Sequence, residues 1–229
     1  MTSDEPASGH GDDLERLYNR RFSGDELVDK QVLWTTLCES FLDEYIDAGD
    51  TVLDLGAGRC EFINTVHAKR KIAVDPNPVT AELAHSDVEV LPIFSTDLAP
   101  IADAEIDVVF TSNFLEHVAD KDALLATLHE CRRVLRPNGW ILVLMPNVRY
   151  LPGRFWDYLD HHVPLTHVSL VEALQLTGFQ AERVIPRFLP YTVKDSRLPV
   201  RAELIELYLR LPLAWKIFGR QMFVAARKI

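Results

Sequence analysis

The fold is restricted most by five short apolar runs that alternate with segments of helical character. Strands separated by helices indicate a parallel sheet whose crossover connections are helical. The last run, WILVLMP, is almost purely apolar, which is typical of a strand covered on both faces. The sequence therefore predicts an α/β protein with strands over residues 51–55, 71–75, 88–93, 106–111 and 140–146.

Helical periodicity and stop signals define the segments around these runs. Residues 14–46 predict a helix because apolar side chains recur at four-residue spacing in its second half. Residues 61–69 and 121–135 predict two further helices. The second of these is closed by RPNG, with Gly139 past its end.

The C-terminal part adds strands and two long connections. The alternating runs over 183–189 and 221–227 predict antiparallel edge strands. Residues 147–167 follow the fifth run, and residues 191–218 lie between the last two strands. Connections of this length are uncommon in compact domains, so both predict lids over a site.

Composition limits the class of protein. With 229 residues, of which 48% are hydrophobic, the sequence predicts one domain over 14–229 after a polar, disordered segment over 1–13. The net charge of −10 disfavours a general affinity for nucleic acid or an anionic membrane. We recognise neither a signal peptide nor a membrane-spanning run. Three scattered cysteines indicate a reducing compartment, so we expect a cytoplasmic protein.

The first run ends in a glycine turn, TVLDLGAGRCEF, that predicts a ligand site. In an open parallel sheet ligands bind beyond the carboxyl ends of the strands, and glycines let the backbone approach them. A dinucleotide turn has a third glycine where this chain has Glu61, whose charge would face the phosphates. S-adenosylmethionine carries no phosphate, and Asp54 at the strand end suits its ammonium group. The competing explanation is that the two glycines only allow the chain to turn and bind no ligand.

Two further acids follow the second and third runs. Asp75 lies 21 residues after Asp54, close to the offset expected for an acid that binds ribose hydroxyls. Asp97, in STDL, is placed to accept a hydrogen bond from an adenine amine. The three acids together favour a nucleoside that bears a positive charge.

The segments LDLGAGRC, AVDPNP, STDL and TSNFLEHV, in this order, resemble the motifs of class I S-adenosylmethionine-dependent methyltransferases. The resemblance covers roughly residues 50–180 and departs at Cys60, where that family's turn has its third glycine. It implies a Rossmann-like, doubly wound, mostly parallel sheet of seven strands in the order 3-2-1-4-5-7-6, with helices on both faces and an N-terminal helical segment. It also implies cofactor contacts from Asp54, Gly56, Ala57, Gly58, Asp75, Pro76, Asp97, Leu98 and Asn113.

The N-terminal segment YNRRF predicts a further cofactor contact. Arg21, or its neighbour Arg20, is placed to pair with the cofactor carboxylate if this segment closes over the site. The start of a surface helix is the competing explanation.

Histidines are the candidate bases. Transfer of a methyl group to a hydroxyl requires positioning and loss of a proton, whereas an amine or a carboxylate needs no base. Four of the eight histidines lie in FLEHV and LDHHVPLTH, after the ends of predicted strands, and Glu116 and Asp160 each precede one of them. Loop bracing is the alternative role for any one histidine. The cluster also suits a divalent metal, zinc, nickel or iron rather than magnesium. The catalytic candidates are Glu116, His117, His161 and His162.

The first lid mixes aromatic and charged side chains, NVRYLPGRFWDYLDHHVPLTH. Such a surface suits the apolar faces and hydroxyl edges of a carbohydrate, and equally a flat aromatic acceptor. Nearly the whole chain is similar to a bacterial methyltransferase group associated with polysaccharide and glycolipid assembly, which implies a sugar acceptor and, most narrowly, a mannose-type oligosaccharide. The predicted substrate contacts are Arg149, Tyr150, Trp156 and His167.

Three other functions remain open at this point. O-methylation of a phenolic or other small metabolite would use the same cofactor. A non-catalytic nucleoside-binding partner is disfavoured because it needs no base, and a nicotinamide enzyme is disfavoured by Glu61. The sequence does not indicate the oligomeric state.

Overall fold

The computed structural model describes residues 24–151, 153–191 and 200–229. The predicted disordered segment, the start of the first predicted helix and Arg21 lie outside these residues. The helices are α1 (Gly24–Ser40), α2 (Pro78–Leu83), α3 (Lys121–Val134), α4 (His167–Leu176), α5 (Ala202–Leu209) and α6 (Pro212–Phe218). The strands are β1 (Thr51–Leu55), β2 (Arg70–Val74), β3 (Val88–Leu91), β4 (Ile106–Ser112), β5 (Leu135–Pro146), β6 (Phe179–Ile185) and β7 (Gln221–Lys228). Short 3-10 helices span Leu42–Glu44, Leu115–His117, Val148–Tyr150 and Arg154–Asp157.

The strands form one seven-stranded sheet in the order β3-β2-β1-β4-β5-β7-β6, which confirms the predicted order. Strands β1 to β5 pair in parallel, and β7 runs antiparallel to both β5 and β6. Strand β7 sits between β5 and β6, as that order implies, and it buries its first six residues. The separate expectation of an edge strand, drawn from the alternating pattern of the run over 221–227, is therefore wrong for β7. The edge strands are β6 on this side of the sheet and β3 on the other.

Two apolar cores cover the two faces of the sheet because successive side chains of a strand point to opposite faces. Leu53 of β1 packs in a core with α3 and α4, whereas its neighbour Val52 packs in a second core with α1, α5 and α6. Strands β5 and β7 divide their residues in the same way, with Ile141 and Val143 on the first face and Leu142 on the second. Helices therefore lie on both faces, as predicted.

The predicted helix over residues 61–69 is wrong. The chain makes only turns there, with two hydrogen bonds of α-helical spacing, from the Asn64 and Val66 amides, at 3.0 and 2.9 Å. The Asn64 side chain instead binds the Leu83 carbonyl and the His85 amide. The β-branched residues at 63, 65 and 66 also lower helix propensity.

Several predicted boundaries also shift. Helix α3 ends at Val134, and it is Asn138, at φ +59°, that takes the left-handed conformation in RPNG. Gly139 serves close packing, since a Cβ there would lie 2.9 Å from the Arg136 and Asp107 carbonyl oxygens. Strand β6 spans Phe179–Ile185 rather than 183–189, because Pro186 has no amide hydrogen to continue the ladder.

This topology brings the predicted site residues together along the edge of the sheet that is formed by the carboxyl ends of the parallel strands. Strands β1, β2, β4 and β5 are parallel, so their carboxyl ends lie together at that edge. The glycine turn follows β1, Asp75 follows β2, Asn113 follows β4 and the first lid follows β5. Among the described residues, no helix has the length and apolar character needed to cross a membrane.

Candidate functional site

The glycine turn has three left-handed residues at alternate positions. Gly56 has φ +73° and Gly58 has φ +51°, a region that glycine enters without penalty. Cys60 stands where a third glycine is expected and still adopts φ +62°. Its side chain is buried, and its Sγ lies 3.5 Å from the Thr80 carbonyl oxygen. The turn thus keeps the conformation of a three-glycine loop with a buried thiol at its third position.

Gly56 also makes room for a side chain from the β4 end. A Cβ at Gly56 would lie 2.3 Å from Phe114 Cγ and 2.6 Å from Phe114 Cβ. By contrast, a Cβ at Gly58 would meet nothing within 4 Å. The first glycine is therefore required both for its conformation and for close packing.

Asp75 ties the turn to the end of β2. Its Oδ2 accepts a hydrogen bond from the Gly58 amide and its Oδ1 accepts one from the Asn77 amide, each at 2.8 Å. Burial raises the pKa of Asp75, and these two hydrogen bonds oppose the rise. Each carboxylate oxygen has a further lone pair, so Asp75 remains able to accept ribose hydroxyls. The adjoining Pro76 is exposed.

Asp54 carries a buried carboxyl at the end of β1. Burial, and then the nearby charges of Glu61 and Asp75, raise the pKa of Asp54 well above its ordinary value. Glu61 is paired with Lys30 of α1 at 3.0 Å. Three acids around one turn disfavour phosphate and favour a cationic ligand, because a nearby positive charge stabilises each ionised carboxylate.

The two residues predicted to contact adenine differ in solvent exposure. The Asp97 side chain is exposed, and its Oδ1 accepts a hydrogen bond from the Ala99 amide at 3.2 Å. The Leu98 side chain is fully buried, and its amide donates to Glu130 Oε2 at 2.7 Å. Asp97 therefore presents a polar group to solvent, while Leu98 anchors the loop. Asn113 is exposed at φ +48°, with its amide bonded to the Leu144 carbonyl.

A cluster of one carboxyl and two imidazoles lies beyond the end of β4. The potential ligand atoms of Glu116, His117 and His161 all lie within 4.8 Å of one another. The His117 Nδ1 lies 2.9 Å from the Asp160 carbonyl oxygen and 3.4 Å from its Oδ2. Burial raises the pKa of Glu116 to about 8, and the charge of Asp160 adds to the rise. The sequence shows only that Asp160 precedes His161, and it does not indicate the contact between Asp160 and His117.

The other two histidines differ in position. The His162 imidazole is exposed, and its amide donates to the Glu116 carbonyl at 2.8 Å. His167 begins α4, and its Nδ1 lies 3.0 Å from Asn147 Nδ2. The Tyr150 ring stacks on His167 with a centroid separation of 6.3 Å. His167 thus belongs to the support of the first lid and not to the three-residue cluster.

The remaining predicted substrate contacts are on the first lid. Arg149 is exposed, and Trp156 is 59% exposed beside the buried Phe155. Phe155 and Tyr158 both contact the His161 ring, at centroid distances of 4.6 and 5.1 Å. Aromatic side chains of the lid therefore line the imidazole cluster.

Sequence reasoning missed two supporting residues. Asn147 is fully buried and donates to both His167 and the Pro186 carbonyl. Phe114 covers Gly56. Asn147 comes directly after the fifth apolar run, and this position could have identified it from the sequence. Phe114 could not be identified in this way, because it meets the turn only through the topology of the sheet.

The sheet order is that of a Rossmann-like fold shared with solved methyltransferases, and the glycine turn follows β1. Residues 53–143 match the family model described as Methyltransferase domain. A Mycolicibacterium smegmatis protein described as a probable S-adenosylmethionine-dependent methyltransferase is 33% identical over 148 residues, which are 62% of this chain and 56% of that protein. The chain spans about half the length of the curated relatives it matches.

Solved structures support the same fold. An S-adenosylmethionine-dependent methyltransferase from Thermotoga maritima has a TM-score of 0.68 at 17% identity, over 95% of this chain and 97% of that one. A methyltransferase in complex with the Haloferax volcanii Trm112 methyltransferase activator has a TM-score of 0.65 at 20% identity, over 90% and 94% of the two chains. Residues 53–143 of this chain are thus similar to a methyltransferase domain, and the curated relatives are described as probable S-adenosylmethionine-dependent methyltransferases.

Proposed function

We propose that this protein transfers the methyl group of S-adenosylmethionine to a hydroxyl of a sugar or oligosaccharide, by in-line displacement with a histidine base. The observation that carries the proposal is the cluster of Glu116, His117 and His161, at the same sheet edge as the acid-lined turn. A sugar hydroxyl ionises far above neutral pH, so its attack requires removal of the proton. A neutral amine or a carboxylate can attack without a base.

The cluster has the geometry of an oriented imidazole. A carbonyl oxygen only accepts hydrogen bonds, so the contact with Asp160 requires that His117 Nδ1 carries the proton. The second ring nitrogen, Nε2, is then a lone-pair site. His161 and the exposed His162 supply alternative bases within the same segment.

Cofactor binding follows from the charges of the turn. Asp54 faces the methionine end, where the ammonium group compensates its buried charge. Asp75, with Gly58 fixed to it, holds the ribose, and the exposed Asp97 reaches the adenine amine. We propose that Gly56, Ala57, Pro76 and Asn113 line the same cofactor, as the resemblance implies.

The lids support a carbohydrate acceptor. The Arg154 guanidinium lies over the Tyr191 ring at 5.4 Å, and Tyr158 contacts that ring at 6.0 Å, so the two insertions meet. Exposed Trp156 offers a flat apolar face, and exposed Arg149 offers hydrogen-bond donors. Sugar rings need both kinds of contact. The three buried free cysteines suit a reducing, cytoplasmic setting.

A phenolic or other small hydroxyl acceptor is the second candidate, since the same exposed Trp156 stacks equally well on an aromatic ring. A screen with labelled methyl donor over sugars, phenols and amines separates the candidates. We expect label in glycosides that carry free hydroxyls. Label in phenols alone would replace the sugar acceptor, and label in amines alone would refute O-methylation.

Single histidine substitutions test the base. We expect at least one of His117→Ala, His161→Ala and His162→Ala to lower turnover by about 10²–10⁴-fold while affinity for S-adenosylhomocysteine stays within about twofold. His129→Ala is the matched control, because His129 is exposed on α3 and outside the cluster. Full activity in all three variants would exclude a histidine base.

A further inference from the structure

One carboxylate oxygen in the cluster lacks a hydrogen-bond partner. Glu116 is 1% exposed, and its Oε2 makes no hydrogen bond within the described part of the chain. A buried polar atom left in this way is costly and calls for a binding partner or a special role. Ligand atoms of His117 and His161 lie within 4.8 Å of a Glu116 carboxylate oxygen. One carboxylate and two imidazoles form a common donor set for a divalent transition metal.

The orientation of His117 matches that of a metal ligand. Metal-bound imidazoles commonly donate their other ring N–H to a carbonyl or carboxylate, which fixes the tautomer. His117 Nδ1 has both such groups from Asp160, the carbonyl at 2.9 Å and Oδ2 at 3.4 Å. The opposite nitrogen, Nε2, then carries the lone pair that a metal would bind.

The spacing requires only a small adjustment. Two ligands at about 2.0–2.2 Å from one ion are at most about 4.4 Å apart, whereas the three donor atoms here lie within 4.8 Å of one another. Side-chain rotations that move a donor by a few tenths of an ångström therefore complete the set. The aromatic walls formed by Phe155 and Tyr158 beside His161 shield one side of such an ion from water.

We propose that Glu116, His117 and His161 form a site for one divalent transition-metal ion. Three protein ligands leave coordination positions open, as in catalytic sites. Two adjacent hydroxyls of an acceptor suit these positions. The acceptor would then be a vicinal diol, an assignment that rests on the proposed function. With an ion bound, His117 and His161 act as ligands, and the exposed His162, bonded through its amide to Glu116, is the remaining candidate base.

Metal binding is tested without cofactor or acceptor. The full chain is dialysed against chelator and titrated with Co²⁺, followed by its visible absorption, and with Zn²⁺, followed by calorimetry. We expect one ion per chain, and at least a 10-fold loss of affinity in both Glu116→Gln and His161→Ala. His129→Ala, the exposed α3 control, is expected to bind like wild type. Binding of S-adenosylhomocysteine checks that each variant is folded.

The outcomes separate this inference from the proposed function. No binding of either ion up to about 1 mM, or unchanged affinity in both cluster variants, overturns the metal site even if the protein methylates a hydroxyl. A bound ion that both variants lose supports the site even if the acceptor proves to be a phenol. Turnover that survives complete removal of the metal overturns the catalytic role of the ion.

Discussion

Substitution of the first turn glycine tests the packing of the turn against β4. In Gly56→Ala the residue keeps φ +73°, which costs about 1–2 kcal/mol for a residue with a Cβ. The new methyl group would also lie 2.6 Å from Phe114 Cβ, an atom that no side-chain rotation moves. Such overpacking typically costs about 1–3 kcal/mol more. We expect the free energy of unfolding to fall by about 2–5 kcal/mol.

Gly58→Ala is the matched control. It has the same left-handed requirement, at φ +51°, but open space around its Cβ, so we expect a loss of only about 1–2 kcal/mol. Urea unfolding measures both variants, and for a chain of this length each kcal/mol lowers Tm by about 2–4 °C. We also expect Phe114→Ala to offset part of the Gly56→Ala loss. Equal losses in the two glycine variants, or strict additivity with Phe114→Ala, would refute the packing argument.

Three further predictions concern pH, the first lid and the thiols. Affinity for S-adenosylmethionine should fall as pH is lowered through the raised pKa of Asp54, since the cation binds the ionised carboxylate. Over the same range the stability of the free protein should rise, because the folded state binds this proton more tightly than the unfolded chain does. Calorimetry and urea unfolding over a pH series check both. An Asp54→Asn variant whose affinity for S-adenosylmethionine kept the full pH dependence would contradict the assignment. Asn147→Ala should lower the free energy of unfolding by about 1–3 kcal/mol, because it removes two hydrogen bonds from partly buried partners, His167 and the Pro186 carbonyl. A loss near zero by urea unfolding would show that the amide does not brace the lid. Burial raises the pKa of the three thiols, Cys38, Cys60 and Cys131, to about 12. Ellman's reagent at about pH 8 should therefore label none of them until the protein unfolds. Rapid labelling of the native protein would contradict their burial.

Local patterns in the sequence determined much of the fold. The five apolar runs became the five parallel strands, and the resemblance supplied their order. The turn after β1 and the acids after β1 and β2 followed from glycine and aspartate at strand ends. These features depend on residues that are close together in the chain, so the periodicity of apolar residues and the residues typical of turns are enough to predict them. Residues 61–69 show the limit, because long-range bonds from the Asn64 side chain prevailed over local helix signals.

Only the tertiary structure decided which side chains meet. Sequence placed four histidines after strand ends, but it could not separate the three-residue cluster from His167, which the lid holds beside Asn147. His117 and Asp160 are 43 residues apart in the chain and come together through the parallel pairing of β4 and β5 and the path of the first lid. Contacts of this kind depend on how the chain crosses the sheet, and no short stretch of sequence encodes that path. The resemblance implied the position of β7 inside the sheet, but the local pattern of the strand did not, since β7 pairs with strands distant in the chain.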